Sequence, residues 1–407
     1  MFATLFSIVL SLFILYTSFS LGDISVFHWL WFVGAAFVLF FIYALSLIFS
    51  WSPIQKVQQN LTPRILDVFN KDKKIRLAGI YLSLLILFFL YMAINDSLVK
   101  VLGERINTAI SFILLGIGID FTLLVLSRMT HYINPFNIAS ECTHQAIKSA
   151  MSGDDQELTQ WIEAVAEVGI NSAGRSLPSL CNQAVTDLQL ITKEYLSASK
   201  SFAHRVEKKA EGESDPVSFT LFFIFQRIEI IFSKALEMGL EPIISTVISS
   251  LGKITIDSAK YDMSLSTYPI HYLGTLALKA QKKGMDEIGD KALVTYIEVA
   301  KIILRDLDVT YLELQEPFFT MIGKMEEISK EIFKMNKEIN IGILIAPFKQ
   351  LKSLFEGEKL INQQDSQLII NDLNRVINEY EQLQIVLKTL PPISSLTTEK
   401  SSEKTTP

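Results

Sequence analysis

Four apolar runs crowd the first third of the chain, at positions 2–21, 27–50, 77–94 and 106–126. Each reaches the roughly 18 to 20 residues that a helix needs to cross about 30 Å of hydrocarbon. Lipid offers a backbone no water to satisfy its amides, so such runs fold as helices. Four transmembrane helices are therefore expected. With 49% apolar and 11% aromatic residues over 407 positions, the chain is too greasy for an ordinary soluble protein, and the excess lies in this third. The first run lacks a preceding Lys or Arg and a small-x-small pattern near Gly22, so it reads as a retained span rather than a secretory signal. Trp29 and Trp31 at one end of the second run and Trp51 at the other fit aromatic belts at two interfaces.

Orientation follows from the loops. The segment 52–76 carries Lys56, Arg64, Lys71, Lys73, Lys74 and Arg76 against Asp67 and Asp72. The loop at 22–26 has no basic residue, and that at 95–105 has Lys100 and Arg105 offset by Asp96 and Glu104. The positive-inside rule places the 52–76 loop and both termini in the cytoplasm. Ser52-Pro53 and Thr62-Pro63 each pair a capping side chain with a proline suited to a first helical turn, predicting two short helices within the loop. In the second, Ile65, Leu66 and Phe69 share a face. That suits either an interfacial helix with its cations near anionic headgroups or a solvated elbow that only sets topology.

The run from Leu61 through Thr62, Pro63, Arg64, Ile65, Leu66, Asp67, Val68 and Phe69 to Asp72, followed by Leu77-Ala78-Gly79-Ile80, resembles a bacterial family of predicted four-span membrane proteins of unknown function. The stretch from His131 through Asn134-Pro135-Phe136 to Ala139 is similar to that family's exit from the membrane. The resemblance covers about residues 30 to 155. It lapses where the family shows Ser-Pro-Gly-Ile-Asn-Asp-Pro, since this chain has Met151-Ser152-Gly153-Asp154-Asp155, or more loosely Met238-Gly239-Leu240-Glu241-Pro242. It implies the four-span topology and a location in the cytoplasmic (inner) membrane. It carries over no functional residue.

Asp120 is the one acid deep inside a span, two turns before Arg128 and about 10 to 12 Å from the cytoplasmic end. A carboxylate there costs roughly 2.5 to 3.5 kcal/mol on insertion scales. It reads either as a cation or proton site in an oligomeric pore, or as a packing residue satisfied by Thr122, Ser127 or a hydroxyl of another span. Gly116, one turn earlier on the same face, admits a close helix neighbour.

Beyond Asn137 the apolar spacing is three and four, which predicts an all-α cytosolic domain over 134–390 behind a transmembrane domain over 1–133. Glycines at 153, 239 and 284 mark inter-helix turns. Each has a small residue four positions before it (Ser149, Ala235, Ala280) and apolar residues nine after (Ile162, Ile248, Leu293) and fifteen after (Val168, Ile254, Val299). Ile170-Asn171-Ser172-Ala173 also matches Ile256-Asp257-Ser258-Ala259. With a further turn near Leu196 these spacings fit a unit of about 43 to 45 residues, as in stacked helix pairs of the HEAT and armadillo kind. An irregular helical bundle is the competing arrangement. The segment 207–216 reads as an exposed loop, Phe219 to Phe232 as a buried core helix or, alternatively, an amphipathic helix touching the inner leaflet, 317–337 and 371–390 as amphipathic helices, and 391–407 as a disordered tail.

Chemistry is scarce. The formal charge of −6 excludes a general nucleic-acid surface. No phosphate loop, zinc-protease motif or nucleophile elbow is present, so neither an enzyme nor a cofactor is indicated. Cys142 and Cys181 read as buried, reduced thiols. The five histidines are scattered, and Cys142 and His144 fall on different helix faces, which gives no metal site. The residues thus predict a multi-pass membrane protein, assembled as a homo-oligomer, that presents a helical platform to a cytosolic protein partner. The alternative is an oligomeric ion channel or transporter with Asp120 in its pathway and the cytosolic domain as its gate.

Overall fold

The computed structural model describes residues 2–17, 28–94, 104–203, 216–308, 313–357 and 364–389. Among the described residues the chain is all helical, with fifteen α-helices, one 3-10 turn and no strand. It divides into two compact units, Met1–Cys142 and Thr143–Pro407. The expected loop at 207–215 and tail at 391–407 lie outside the described residues.

The first unit holds α1 (Phe2–Thr17), α2 (His28–Asn60), α3 (Ile65–Lys71), α4 (Lys73–Ile94) and α5 (Glu104–Ile133). Three of these, α2, α4 and α5, contain stretches long and apolar enough to cross a membrane, at Trp31–Ile48, Lys73–Ile94 and Ile106–Ile133. Most of their surface faces outward and carries large apolar side chains such as Phe37, Leu77, Leu84 and Leu123. The expected first span is the exception. Its described part, α1, has 16 residues, and positions 18–21 of the expected span lie outside the described residues.

Helix α5 is the centre of this unit, since α1, α2 and α4 all pack against it. Two glycines two positions apart make that possible. A methyl on Gly116 would meet Ser7 of α1, and one on Gly118 would meet the side chains of Leu39 and Leu85 on α2 and α4 at 2.8 Å. Successive α-helical positions lie about 100° apart, so residues 116 and 118 open opposite sides of α5. Between α2, α4 and α5, Phe32, Leu39, Leu85 and Phe89 form one core, and Ala78, Val125 and Met129 another. The Trp31 ring packs on Phe112 of α5, with centroids 4.5 Å apart, while Trp51 is exposed.

The elbow between α2 and α4 departs from expectation in two ways. Helix α2 continues through Pro53 to Asn60, so Ser52 caps nothing. The missing N–H of Pro53 costs one helical bond without ending the helix. Only the second proline sits where expected, ahead of α3. There Ile65 and Val68 are fully buried and Phe69 packs edge-on against Tyr132 of α5, centroids 6.3 Å apart. The apolar face of α3 is therefore covered by protein rather than lipid.

Helix α6 (Pro135–Ser152) begins with Pro135 in its first turn, and the Asn134 side chain accepts the Phe136 N–H at 3.1 Å. The boundary between the units falls inside α6, after Cys142. The second unit continues with α7 (Asp155–Gly174), α8 (Pro178–Ala203), α9 (Pro216–Glu237), α10 (Glu241–Tyr261), α11 (Thr267–Gln281), α12 (Asp286–Asp306), α13 (Gln315–Met335), α14 (Ile341–Phe355) and α15 (Gln364–Thr389). From α7 onward every helix packs on the next but one, and most pack on the next as well. Two rows result: α7, α9, α11, α13 and α15 in one, and α8, α10, α12 and α14 in the other.

The three glycines do terminate helices. Gly153, Gly239 and Gly284 have φ of +74°, +68° and +83°, the left-handed region where a side chain is costly. After each, the next residue donates five positions back: Asp154 to Ser149 (3.2 Å), Leu240 to Ala235 (2.9 Å) and Met285 to Ala280 (3.2 Å). This is the Schellman pattern, and the small residues four before each glycine are its acceptors, buried under the turn. A fourth copy carries no glycine. Ser176 has φ +55°, and Leu177 donates to Ser172 at 2.9 Å. No turn occurs near Leu196, because α8 runs through it. The two matching Ile-x-Ser-Ala stretches close α7 and α10, which stand in opposite rows, so they share the chemistry of a helix end rather than a repeated position.

Candidate functional site

Asp120 faces α1. Its Oδ1 accepts the Ala3 N–H at 3.3 Å and its Oδ2 the Thr4 N–H at 3.1 Å, and the Thr4 hydroxyl also donates to Oδ2. Those amides belong to the first turn of α1, where a helix has no carbonyls of its own to use, and the dipole there favours a negative charge. Asp120 therefore caps another helix from across the interface. Of the expected partners, Thr122 turns back to the Gly118 carbonyl at 2.9 Å; the hydroxyl that reaches the carboxylate beside those amides is that of Thr4, from a different helix. Further along the seam the Ser11 hydroxyl donates to the Ala109 carbonyl at 3.0 Å, and Ser7 lies over Gly116. With contacts falling from 120 to 109 on α5 as they rise from 3 to 11 on α1, the two helices are antiparallel.

Four of the six basic residues, Lys71, Lys73, Lys74 and Arg76, stand at the α3–α4 elbow, while Lys56 is on α2 and Arg64 just before α3. Lys56, Lys71, Lys73, Lys74 and Arg76 are exposed, and Arg64 lies 3.8 Å from Asp67. Asp72, the one acid in the run from Lys71 to Arg76, is turned inward. Its Oδ1 accepts the Lys74 N–H at 2.8 Å and caps α4, while Oδ2 accepts the Tyr132 hydroxyl at 2.8 Å. That second bond fixes the elbow to the end of α5. The sequence reading missed this tie. An Asp two residues before Lys74, at a helix start, was the available half of the signal, but nothing near Tyr132 announced the other half.

In the second unit the odd-numbered row is laced by ion pairs. Arg227 on α9 meets Glu163 on α7 at 2.6 Å, Lys279 on α11 meets Glu229 on α9 at 2.5 Å, and Arg375 on α15 meets Glu326 on α13 at 3.2 Å. A second contact in each pair advances in step with the first (Gly169 with Ile231, Phe225 with Tyr272, Leu314 with Asp365), so these paired helices run parallel. Burial pushes the Glu326 carboxyl up, but donation from Lys330 and Arg375 outweighs it and the net shift is downward. Asp187 differs. Thr143 and Gln183 donate to it, yet Oδ2 is buried without a partner, and burial raises its pKa. Near the N-terminal ends of the same row Phe219, Phe222, Tyr268, Phe319 and Leu368 are exposed. Helix α9 is thus not a wholly buried core helix: Phe225 and Phe232 point in, Phe219 and Phe222 out.

Cys142 and Cys181 are buried and form no disulfide, and burial pushes the Cys181 thiol up to about 12. No group of three or more potential metal ligands occurs among the described residues. Compared with protein-family models, curated proteins and solved structures, the chain matches none.

Proposed function

We propose that this chain is a multi-pass protein of a bacterial cytoplasmic membrane, with both termini on the cytoplasmic side, that holds a stack of HEAT- or armadillo-like helix pairs as a platform for a cytosolic protein. The observation that carries this reading is the packing order of the second unit, in which each helix touches the next but one. A chain so stacked presents one continuous row of parallel helices, and such rows bind partners along their length. The exposed aromatic side chains near one end of that row are the surface we assign to the partner. Aromatic anchors of this kind dominate protein interfaces.

In this reading four helices lie in the bilayer. Helix α1 is the fourth, antiparallel to α5 and beginning at the level of Asp120 rather than at the membrane surface. Its outward face, with Leu5, Phe6, Val9 and Leu12 exposed, suits lipid. Asp120 serves to seat α1. The test is crosslinking in cells of the full chain against a Phe219→Ser/Phe222→Ser/Phe319→Ser variant, with folding checked by circular dichroism. A cytosolic protein recovered several-fold better with the unaltered chain is expected. Equal recovery from both, at equal expression and helicity, would overturn the platform.

A further inference from the structure

One stripe along the outer face of α4 changes character partway. Lys73 and Arg76 stand at its foot, and Leu77, Ile80, Leu84 and Leu87 follow at helical spacing, with relative exposures of 63%, 53%, 60% and 61% for the four apolar residues. Residues three, four and seven apart share a helix face, so cations and aliphatic side chains form a single surface. From Leu77 to Leu87 the rise is about 15 Å, the depth of one leaflet's hydrocarbon. Neither Lys73 nor Arg76 makes an ion pair among the described residues, and Lys74 beside them is exposed as well. The acid that would neutralise them, Asp72, is occupied by the Tyr132 hydroxyl and the Lys74 amide.

We infer that this stripe is a binding site for one acidic phospholipid, its phosphate held by Lys73, Arg76 and Lys74 and an acyl chain laid along Leu77, Ile80, Leu84 and Leu87. The inference rests on the reading that α4 crosses a membrane with its N-terminal end at the headgroups. An anion without an acyl chain would satisfy the cations but leave the aliphatic part of the stripe unused. Tyr132 acts here as a positioning residue, because its bond turns the Asp72 carboxylate toward α5.

The full chain, reconstituted in phosphatidylcholine vesicles doped with spin-labelled phosphatidylglycerol or, in parallel, spin-labelled phosphatidylcholine, reports the relative affinity of the two lipids. The unaltered chain is expected to prefer the anionic probe. Lys73→Gln and Arg76→Gln are each expected to lower that preference about fivefold, as the attraction of one cation to an anionic lipid predicts, while Lys279→Gln in the second unit leaves it unchanged. Tyr132→Phe, which releases Asp72, is expected to weaken it in the same direction. An unchanged preference in Lys73→Gln/Arg76→Gln overturns the site. Displacement of the lipid probe by inorganic phosphate as readily as by unlabelled phosphatidylglycerol overturns the lipid assignment. Alkaline extraction of native membranes separates the two levels: release of the chain refutes membrane insertion itself, whereas a retained chain without lipid preference refutes only the site.

Discussion

Replacing Gly116 by Ala tests the seating of α1 most directly. The added methyl carbon would lie 2.2 Å from Ser7 Oγ, 2.6 Å from Ser7 Cβ and 2.8 Å from the Ala3 carbonyl oxygen, where ordinary contact begins at 3.4 Å. Rotation can move the Ser7 hydroxyl, but Ser7 Cβ is fixed by the backbone and the Ala3 carbonyl is backbone. Relief therefore requires α1 to retreat from α5 by about 0.8 Å, the difference between 2.6 and 3.4 Å. That displacement stretches the bonds from Ala3 and Thr4 to Asp120, now 3.3 and 3.1 Å, toward the limit of a useful hydrogen bond. Overpacking of this kind costs about 1 to 3 kcal/mol, and weakened capping adds to it, so a loss of about 2 kcal/mol is expected. Gly34→Ala supplies the control, since nothing lies within 4 Å of its added methyl, and it should be neutral or slightly stabilising. Gly118→Ala meets only the movable ends of Leu39 and Leu85 and should fall between them. The measurement is the unfolding midpoint of the full chain in mixed micelles, together with thiol labelling of Ser11→Cys, which is buried between α1 and α5. Equal midpoints for Gly116→Ala and Gly34→Ala, with no gain in labelling, would refute the close approach.

Asp120→Asn removes the charge and turns one acceptor into a donor facing N–H groups; a loss of about 1 to 3 kcal/mol and faster Ser11→Cys labelling are expected, whereas retained stability would contradict the cap. Ser176→Gly relieves a left-handed conformation and should stabilise the chain by about 1 kcal/mol, read as a raised thermal midpoint. The folded-state pKa of Glu326 is lowered, so its contribution is present above the usual carboxylate range and disappears as pH falls through the folded value. The unaltered chain should therefore lose stability relative to Glu326→Gln on acidification below about pH 4.3. Asp187 has the opposite sign: its pKa is raised, so its contribution is present below the unfolded value of about 3.9 and disappears as pH rises through the folded one. Asp187→Asn should then melt higher than the unaltered chain at pH 7, and the gap should close toward pH 4.

What the sequence made legible follows the physics of each signal. Long apolar runs and the glycines at 153, 239 and 284 act locally, one through the cost of amides in lipid and the other through backbone sterics, and three of the four runs and all three glycine turns stand where expected. The turn at Ser176 escaped because a serine gives no steric hint of a positive φ. Pro53 misled for the complementary reason, since a helix already held on both sides can continue through a proline. The partners of Asp120 and Asp72 are 116 to 117 and 60 residues away, and no local pattern encodes a contact at such separation. The proposed stripe on α4 combined both kinds of information: its cations and leucines are plain in the sequence, but their freedom depends on where Tyr132 places its hydroxyl.

The cap on α1 also sets a clock. Asp120 lies 117 residues after Ala3 in the chain, and at synthesis rates of roughly 5 to 20 residues per second it follows about 6 to 23 s later. Throughout that interval the first apolar helix exists without the acceptor that its leading amides use in the finished protein. Its final position cannot be adopted until α5 has been made, so a helix synthesised before α2 and α4 is among the last of the membrane unit to settle. A variant that weakens the Asp120 cap should therefore betray itself first in newly made chains, as a lag before α1 becomes protected, even where the mature protein looks unaltered.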